Sequence, residues 1–349
     1  MTHPFGAGTR AMHCRHWPAL SDLGMLAPAG TTGRIAPRHD EKGSGMEQSQ
    51  AGAQSSAKHA VGYRGLTIHD GVQDAEIPLA ILYPTTGIPR PCRFGPYHLP
   101  LAEGAVEGRD RPLIVLSHGN GGSPWVYRDL AMALAARGFV IAMPKHPGNS
   151  LNDDALARRL ANLENRPRHV CLSIAAAFAD PVVGPALRPE RVALIGHSLG
   201  TYTVLAAAGG QPWSGGRGPE DPPRRIAVTH DRRVHALVLL APATGWFRAP
   251  GALSAIRCPI LIRTASEDDV TPPALADIVM QGVPDPALVD NRCVPGAGHF
   301  SFLSPFPANM ARPDFLPSQD PPGFDRTTFQ HVMAEEIGAF LHRTMPDQP

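Results

Sequence analysis

The chain has 349 residues, 43% of them hydrophobic and 18% charged, so its apolar side chains suffice for a large buried core. Its 32 Lys and Arg residues nearly balance its 31 Asp and Glu residues, which leaves a formal charge of +1. This balance argues against nucleic acid as the main partner, because phosphate binding needs clustered positive charge. It also argues against an acidic disordered protein.

Residues 1–58 differ from the rest of the chain. They are rich in Gly, Ala, Ser, Thr and Gln and show no sustained period of 2 or 3.6, so we expect a disordered N-terminal extension. A transit peptide is an alternative, and Met46 is an alternative start. A single folded domain is predicted at 59–345.

No targeting or membrane segment is recognisable in the sequence. Residues 1–15 lack the basic and apolar regions of a signal peptide, and no run of 18 apolar residues predicts a membrane span, so a cytoplasmic location is expected. The cysteines are few, odd in number and widely spaced, and therefore predict buried or half-buried free thiols rather than disulfides or a zinc site. They are Cys14, Cys92, Cys171, Cys258 and Cys293.

From Val61 onward, short apolar runs alternate with helical segments. Val61–Ile68 and Leu79–Tyr83 are predicted strands, and residues 85–111 are predicted to form a Pro/Gly-rich loop. Later runs have the length of strands that are buried on both faces. These runs are Leu113–Leu116, Phe139–Met143, Val192–Ile195, Ala236–Leu240, Pro259–Ile262 and Asn291–Val294.

Helices are predicted between most of these runs. The first has Ser123 as N-cap, Pro124 at its first position and Gly138 after its end. The last carries an apolar stripe formed by Phe329, Val332, Met333, Ile337 and Phe340. The predicted helices cover 124–137, 154–178, 199–208, 273–281 and 326–343. The alternation predicts an α/β fold with a mostly parallel sheet and helices on both faces.

Residues 196–200 read Gly-His-Ser-Leu-Gly, a GxSxG motif. The motif alone is a weak signal, and a Gly-rich turn with an incidental serine is the alternative. Here an apolar strand precedes it and a helix of small residues follows it, which is the setting of a nucleophile elbow. Ser198 is therefore the candidate nucleophile, and it needs a base and an orienting acid.

His299 is the best candidate for the base, because it follows the last strand run in a loop with two glycines. His331 and His342 lie in the last predicted helix and are expected at the surface. His118 and His197 adjoin other site elements and are expected to support the site.

The acid is expected after the strand Pro259–Ile262, because the segment after Ala236–Leu240 holds no carboxylate. Spacing alone does not choose among Glu267, Asp268 and Asp269. The order Ser198, Asp268, His299 matches the serine–acid–histidine order of α/β-hydrolases.

Residues 117–122, Ser-His-Gly-Asn-Gly-Gly, follow the strand Leu113–Leu116. Glycines there leave backbone N–H groups free to face a developing oxyanion, and the Leu199 N–H directly after the nucleophile would be the second donor. An ordinary Gly-rich turn is the alternative.

Together these motifs resemble the α/β-hydrolase superfamily from about Val61 to Arg343. Within it the chain resembles the bacterial "predicted dienelactone hydrolase" group, which is similar to platelet-activating-factor acetylhydrolases. The matching segments are 116–122, 146–149, 196–200, 297–303 and 320–326. The resemblance implies Ser198 as nucleophile, His299 as base, Asp268 as acid through its Asp-x-x-x-Pro context, and an oxyanion hole formed by the Asn120 and Leu199 N–H groups.

Two departures from the pattern qualify what the resemblance implies. Ala265 stands where a glycine usually precedes the acid, which leaves Asp269 open. Dienelactone hydrolases use a cysteine nucleophile, so their substrate is not carried over to Ser198.

The sequence thus predicts a serine carboxylester hydrolase that acts on a small-molecule ester through an acyl-enzyme. An amidase, thioesterase, lactonase or lipid acetylhydrolase on the same triad is the alternative, as is a non-catalytic binding protein. No separate cap domain is expected. No motif predicts a metal or cofactor, and the oligomeric state stays open. Candidate pocket residues are Trp125, Trp213, Trp246, Phe300 and Phe302.

Overall fold

A computed structural model describes residues 59–215 and 222–346. The predictions on residues 1–58, Met46 and Cys14 lie outside the described residues. The strands are β1 (Ala60–Asp70), β2 (Ala75–Thr85), β3 (Arg90–Phe94), β4 (Tyr97–Leu101), β5 (Arg111–Ser117), β6 (Val140–Pro144), β7 (Leu187–His197), β8 (Val234–Leu240), β9 (Ile260–Ala265) and β10 (Val289–Val294). The α-helices are α1 (Arg128–Ala135), α2 (Leu160–Ala179), α3 (Leu199–Ala207), α4 (Asp277–Gly282) and α5 (Arg326–Thr344).

Eight strands form the central sheet, in the order β1-β2-β6-β5-β7-β8-β9-β10. β1 pairs antiparallel with β2, and β2 pairs antiparallel with β6. All remaining neighbours, from β6 to β10, pair in parallel. The inner parallel strands β5, β6 and β8 are buried apolar runs, and the sheet is mostly parallel, as predicted. The edge strand β10 is the exception: Asn291–Val294 was predicted to be buried on both faces, but Asn291, Arg292 and Cys293 are exposed because β10 lies at the edge of the described sheet.

Helices cover both faces of the sheet. α1 and α5 pack on one face, where Leu134 and Ile337 belong to the same core cluster. α2, α3 and α4 pack on the other face, where Ile174, Leu205 and Val279 share a second cluster. The link between β8 and β9 holds only a short 3-10 turn at Gly245–Phe247, so no cap domain is inserted there. Among the described helices, none combines the length and apolar character that crossing a bilayer requires.

Three further details of the predicted secondary structure were wrong. Residues 85–111 contain the hairpin β3–β4, whose alternating buried residues Tyr97, Leu99 and Leu101 cover one end of the core. Helix α2 begins at Leu160 rather than at 154, because residues 148–154 form turns closed by bonds such as Gly148 N–H to Asp153 Oδ2. Val332 is 57% exposed, since the buried stripe of α5 runs through other residues. That stripe comprises Met333, Ile337, Phe340 and Leu341.

Helix α2 accommodates a proline in its interior. Pro167 has no N–H to donate to the carbonyl of Leu163, one turn earlier. The Tyr202 hydroxyl of α3 donates to that carbonyl instead, at 3.0 Å. The lost helical hydrogen bond is thereby replaced by a bond between two helices.

The cysteines of the described residues are unpaired. Cys92, Cys171 and Cys258 are half-buried, as predicted, whereas Cys293 is exposed on the edge strand β10. Burial raises the pKa of Cys171 to about 12 and that of Cys258 to about 11, so both are protonated thiols at neutral pH.

Candidate active site

Ser198 lies on the sharp turn between β7 and α3, at the edge where the parallel strands end. Its backbone has φ 53° and ψ −123°, a conformation that costs a non-glycine residue about 1–3 kcal/mol. The bond from the Ser198 N–H to the Leu240 carbonyl, 3.0 Å, ties the turn to β8. The turn holds the Ser198 side chain away from the sheet and beside a cavity.

The two glycines of the motif are required by close packing. A Cβ at Gly196 would collide with the carbonyl of Gly200, and a Cβ at Gly200 would collide with the carbonyl of Ser117. The turn therefore sits directly against the end of β5. This explains why the serine is flanked by glycines at these two positions.

His299 and Asp268 extend a line of hydrogen bonds from Ser198. The Ser198 Oγ lies 3.0 Å from His299 Nε2, and His299 Nδ1 lies 2.9 Å from Asp268 Oδ2. Because a carboxylate only accepts, Nδ1 carries the proton and Nε2 of the neutral ring accepts from the Ser198 hydroxyl. The three residues, distant in sequence, thus meet with the geometry that the candidate roles require.

Asp268 is buried and surrounded by donors, whereas Asp269 is exposed. Oδ1 accepts from the N–H groups of Val270 and Thr271, at 2.9 and 2.7 Å, and the Thr271 hydroxyl lies 2.8 Å from Oδ2. Burial raises the pKa of Asp268, but the bonds from His299 and Thr271 outweigh it and leave the pKa below its ordinary value. Asp268 is therefore ionised beside His299.

Two backbone N–H groups belong to segments that adjoin the serine, since Asn120 lines the same cavity as Ser198 and Leu199 follows Ser198 in sequence. The Asn120 N–H belongs to the loop after β5, and the Leu199 N–H is the first of α3. Neither has a hydrogen-bond acceptor among the described residues. By contrast, the Gly119 N–H donates to the Tyr127 hydroxyl at 3.1 Å. The Asn120 and Leu199 N–H groups thus remain available as donors.

Tyr127 connects this loop to His299 through His197. The His197 Nε2–H donates to the His299 carbonyl, 2.9 Å, so Nδ1 of the neutral ring accepts from the Tyr127 hydroxyl, also 2.9 Å. Burial lowers the pKa of His197 to about 3, which keeps the ring neutral. The loop after β5 and the loop of His299 are therefore fixed to one another.

A cavity of about 310 Å³ opens beside Ser198 and His299. One wall is the loop 119–123, and the opposite wall is the segment 300–317. The second wall contributes mainly apolar side chains: Phe300, Leu303, Phe306, Met310 and Phe315. Arg312 and Asn309 also line it. The site thus places a serine hydroxyl at the end of a largely apolar space.

Of the five aromatic residues predicted for the pocket, Phe300 lines this cavity. Trp125 lines a separate cavity and packs on Phe94, with ring centroids 4.2 Å apart. Trp246 packs on Tyr202 in the core, and Phe302 is fully buried near Phe329. Trp213 lies under the guanidinium of Arg225. An aromatic residue in a loop does not reveal whether it faces a cavity or the core, and sequence reasoning could not separate the two.

Buried polar side chains lie behind the loop after β5. The Ser117 hydroxyl lies 2.9 Å from His146 Nε2, His146 Nδ1 lies 3.1 Å from His169 Nδ1, and His169 Nε2 lies 2.7 Å from Gln73 Oε1. Arg166, fully buried, contacts the same Ser117 hydroxyl. Among the described residues, no group of three or more His, Cys, Asp or Glu side chains could hold a metal ion.

Sequence reasoning did not assign roles to Tyr127, Thr271, Asn149 or Arg166. Thr271 had a usable signal, because an Asp followed three residues later by Thr forms a turn in which the carboxylate accepts the Thr N–H. Asn149 stood in a segment that carries the family resemblance. Tyr127 and Arg166 had no local signal, since their partners lie 8 to 70 residues away.

Comparison with known proteins agrees with this architecture. A family model described as "alpha/beta hydrolase fold" matches residues 112–213, which include β5 and the Ser198 turn. A ferulic acid esterase from Streptomyces cinnamoneus is similar in structure, with a TM-score of 0.60 and 18% identity over 86% of this chain and 93% of that chain. No curated protein sequence matches. The protein therefore has the α/β-hydrolase fold.

Proposed function

We propose that the protein is a serine hydrolase that cleaves carboxylic esters through an acyl-enzyme. The observation that carries this proposal is the hydrogen-bonded line from Ser198 through His299 to Asp268, set beside a cavity. A serine hydroxyl needs a neutral base within hydrogen-bond reach and an acid that fixes the base, and this site supplies both.

In the first step, Ser198 Oγ attacks the ester carbonyl and its proton passes to His299 Nε2. The ionised Asp268 stabilises the imidazolium and keeps Nδ1 protonated. The Asn120 and Leu199 N–H groups donate to the oxyanion, a role supported by their lack of other acceptors in the described chain. His299 then protonates the leaving alcohol, and the C–O bond of the ester breaks.

In the second step, His299 Nε2 takes a proton from water while the water oxygen attacks the acyl-serine. A second oxyanion forms at the same two donors. Its collapse releases the carboxylic acid and returns the proton to Ser198 Oγ. No bound cofactor enters this scheme, which is in keeping with the sequence-based prediction of a cofactor-free enzyme.

The cavity supports an ester whose acyl or aryl group is apolar, because residues 300–315 present aromatic and aliphatic side chains to it. The similarity to a ferulic acid esterase adds support for ester cleavage. We also propose kinship with the platelet-activating-factor acetylhydrolase-like group, based on the motif segments of the sequence. A catalytic domain at 59–345 and a cytoplasmic location remain predictions.

The test is the initial rate on p-nitrophenyl esters from acetyl to long acyl chains, with Ser198→Ala as control. We expect turnover by the wild type and a loss of about 10⁴-fold or more in kcat for Ser198→Ala, with an unchanged unfolding temperature. A fluorophosphonate probe should label the wild type only. Folded wild-type protein that neither hydrolyses any ester nor reacts with the probe would contradict the proposal and favour a binding role.

A further inference from the structure

Arg166 places a positive charge in the interior with no carboxylate in contact, although the charge of Asp154 acts on it from beyond ion-pair distance. Its side chain is fully buried, and among the described residues no Asp or Glu lies within ion-pair distance of it. Burial lowers the pKa of Arg166 to about 9, so the group is still protonated at neutral pH. Because a buried unpaired charge is costly, the hydrogen bonds that Arg166 makes deserve a functional explanation.

Those bonds converge on the loop that carries Asn120. Nη2 donates to the His118 carbonyl and to the Ser117 hydroxyl, and Nη1 donates to Asn149 Oδ1 at 2.7 Å. Nε donates to Thr203 Oγ1 of α3, at 2.9 Å. One guanidinium therefore links the end of β5, the helix after Ser198 and the loop after β6.

Arg166 also fixes the orientation of the Asn149 amide. A guanidinium only donates, so the oxygen of Asn149 must face it and the NH₂ group must face the other way. That NH₂ group donates to Asn120 Oδ1 and to Asp154 Oδ1, both at 2.8 Å. Asn149 itself is fully buried. Asn120 is thus tethered by a side chain that cannot turn over without removing the acceptor of Arg166 Nη1.

His118 restrains the peptide group between Gly119 and Asn120 through a separate hydrogen bond. The backbone N–H of His146 donates to His118 Nε2 at 3.2 Å, so Nδ1 of the neutral ring carries the proton and donates to the Gly119 carbonyl at 2.8 Å. Burial and the charge of Arg166 lower the pKa of His118 well below its ordinary value, which keeps the ring neutral. The Gly119 carbonyl belongs to the peptide whose N–H is that of Asn120.

We propose that Asn149, oriented by Arg166, is a positioning residue that fixes the direction of the Asn120 N–H through the Asn120 side chain. This inference rests on the proposed esterase function, in which that N–H stabilises the oxyanion. A donor that is already aimed at the developing charge needs no reorganisation during the reaction. The tether therefore acts on the transition state and leaves substrate binding in the apolar cavity unchanged.

The test is a double-mutant cycle of Asn149→Ala and Asn120→Ala. Asn120→Ala removes the side-chain acceptor but keeps the backbone N–H, so both single variants cut the same tether. We expect each to lower kcat by about 10- to 100-fold, since a donor misplaced by about 1 Å can cost 10²-fold. KM should stay within about threefold. The double variant should be no slower than the slower single variant, because the contact between Asn149 and Asn120 is already absent once either residue is alanine.

Asp154→Asn is the matched control. Asp154 lies at the same 2.8 Å from the same Asn149 nitrogen but does not touch the loop of Asn120, and an amide oxygen can replace the carboxylate as acceptor. We expect its kcat within about twofold of wild type. If Asp154→Asn loses as much kcat as Asn149→Ala, the loop is only generally loosened and the positioning role is wrong.

Other outcomes separate the two proposals. If the two single losses multiply in the double variant, or if both variants keep wild-type kcat, the tether is refuted while the esterase stands. A wild type without ester turnover or probe labelling refutes the esterase function and the tether with it. Arg166→Lys is a poorer test, because the loss of a buried guanidinium can unfold the protein, and the cycle avoids it.

Discussion

The two walls of the cavity are built in different ways. The wall formed by the loop 119–123, here the polar wall, is supported by buried side chains that bond the backbone at its start, such as Arg166 to the His118 carbonyl. The segment 300–317, here the apolar wall, is also hydrogen-bonded to its surroundings, as by Arg128 to the Pro305 carbonyl. Towards the cavity, however, it presents apolar side chains such as Phe306 and Phe315, whose ring centroids lie 5.1 Å apart. Hydrogen bonds fix direction, whereas apolar packing fixes volume. Under the proposed function, the polar wall would serve the chemistry and the apolar wall the choice of substrate.

The largest expected effect concerns the acid of the proposed catalytic line, Asp268. Asp268→Asn should lower kcat by about 10⁴-fold, because an amide can donate to His299 Nδ1 and so favours the wrong tautomer of the ring. The rate on a p-nitrophenyl ester measures this loss. Circular dichroism should show an unchanged fold.

Asp269→Asn is the matched control for that experiment. The two carboxylates are adjacent in sequence, but Asp269 is exposed and lies outside the hydrogen-bond line. We expect its activity within about twofold of wild type. A large loss for Asp269→Asn, together with an active Asp268→Asn, would mean that Asp269 is the acid. It would contradict a catalytic role for the hydrogen bond between His299 and Asp268.

The buried histidines behind the polar wall should make the fold sensitive to acid. Burial, reinforced by Arg166, lowers the pKa of His118 and His146 well below the ordinary value, and burial lowers that of His169 to about 3. In the unfolded chain these rings titrate near about pH 6.5. These rings therefore cost the fold nothing above about pH 6.5, where they are neutral in both states, and the fold loses stability as pH falls below that value, by up to about 1.4 kcal/mol per pH unit for each ring.

Thermal unfolding at pH 7.5, 6.5 and 5.5 measures this loss. We expect the unfolding temperature to fall by several degrees between the last two values. His169→Gln should flatten the dependence, because one of the neutral rings is gone, whereas His331→Gln should leave it unchanged, since His331 is exposed. An unfolding temperature that is constant from pH 7.5 to 5.5 would mean that the rings titrate normally in the fold.

The smallest expected effect concerns the apolar wall. Phe315→Ala enlarges the cavity, so the ratio of kcat/KM for a dodecanoyl ester to that for a butanoyl ester should rise about 3- to 10-fold. Leu316→Ala is the control, because Leu316 is 55% exposed and does not line the cavity. An equal change of the ratio in both variants would show that the segment acts through its general stability and not through the volume of the cavity.

The strands and the turn at Ser198 could be predicted because they depend on residues that are close together in sequence. The inner parallel strands are continuous apolar runs, and the GxSxG motif stands between a strand and a helix, so the fold and the turn at Ser198 could be placed. The hairpin β3–β4 was missed because prolines in both strands argue against a ladder, yet Pro91 and Pro100 pair opposite each other in this isolated two-stranded sheet.

The supporting contacts of the site could not be predicted in the same way. Asn149 meets Asn120 across 29 residues, and Arg166 meets the His118 carbonyl across 48, so no local pattern marks either pair. The same holds for the pocket. Trp246 and Phe315 are both aromatic residues in loops, and only the packing of the chain decides that Phe315 lines the cavity while Trp246 joins the core.

The proline inside α2 has an evolutionary consequence. Pro167 leaves the Leu163 carbonyl without a helical donor, and the Tyr202 hydroxyl fills that role. A related chain with an ordinary residue at 167 would regain the backbone N–H, and phenylalanine would then serve at 202 as well as tyrosine. The two positions should therefore exchange together among natural homologues, so that proline at one is accompanied by a hydroxyl at the other.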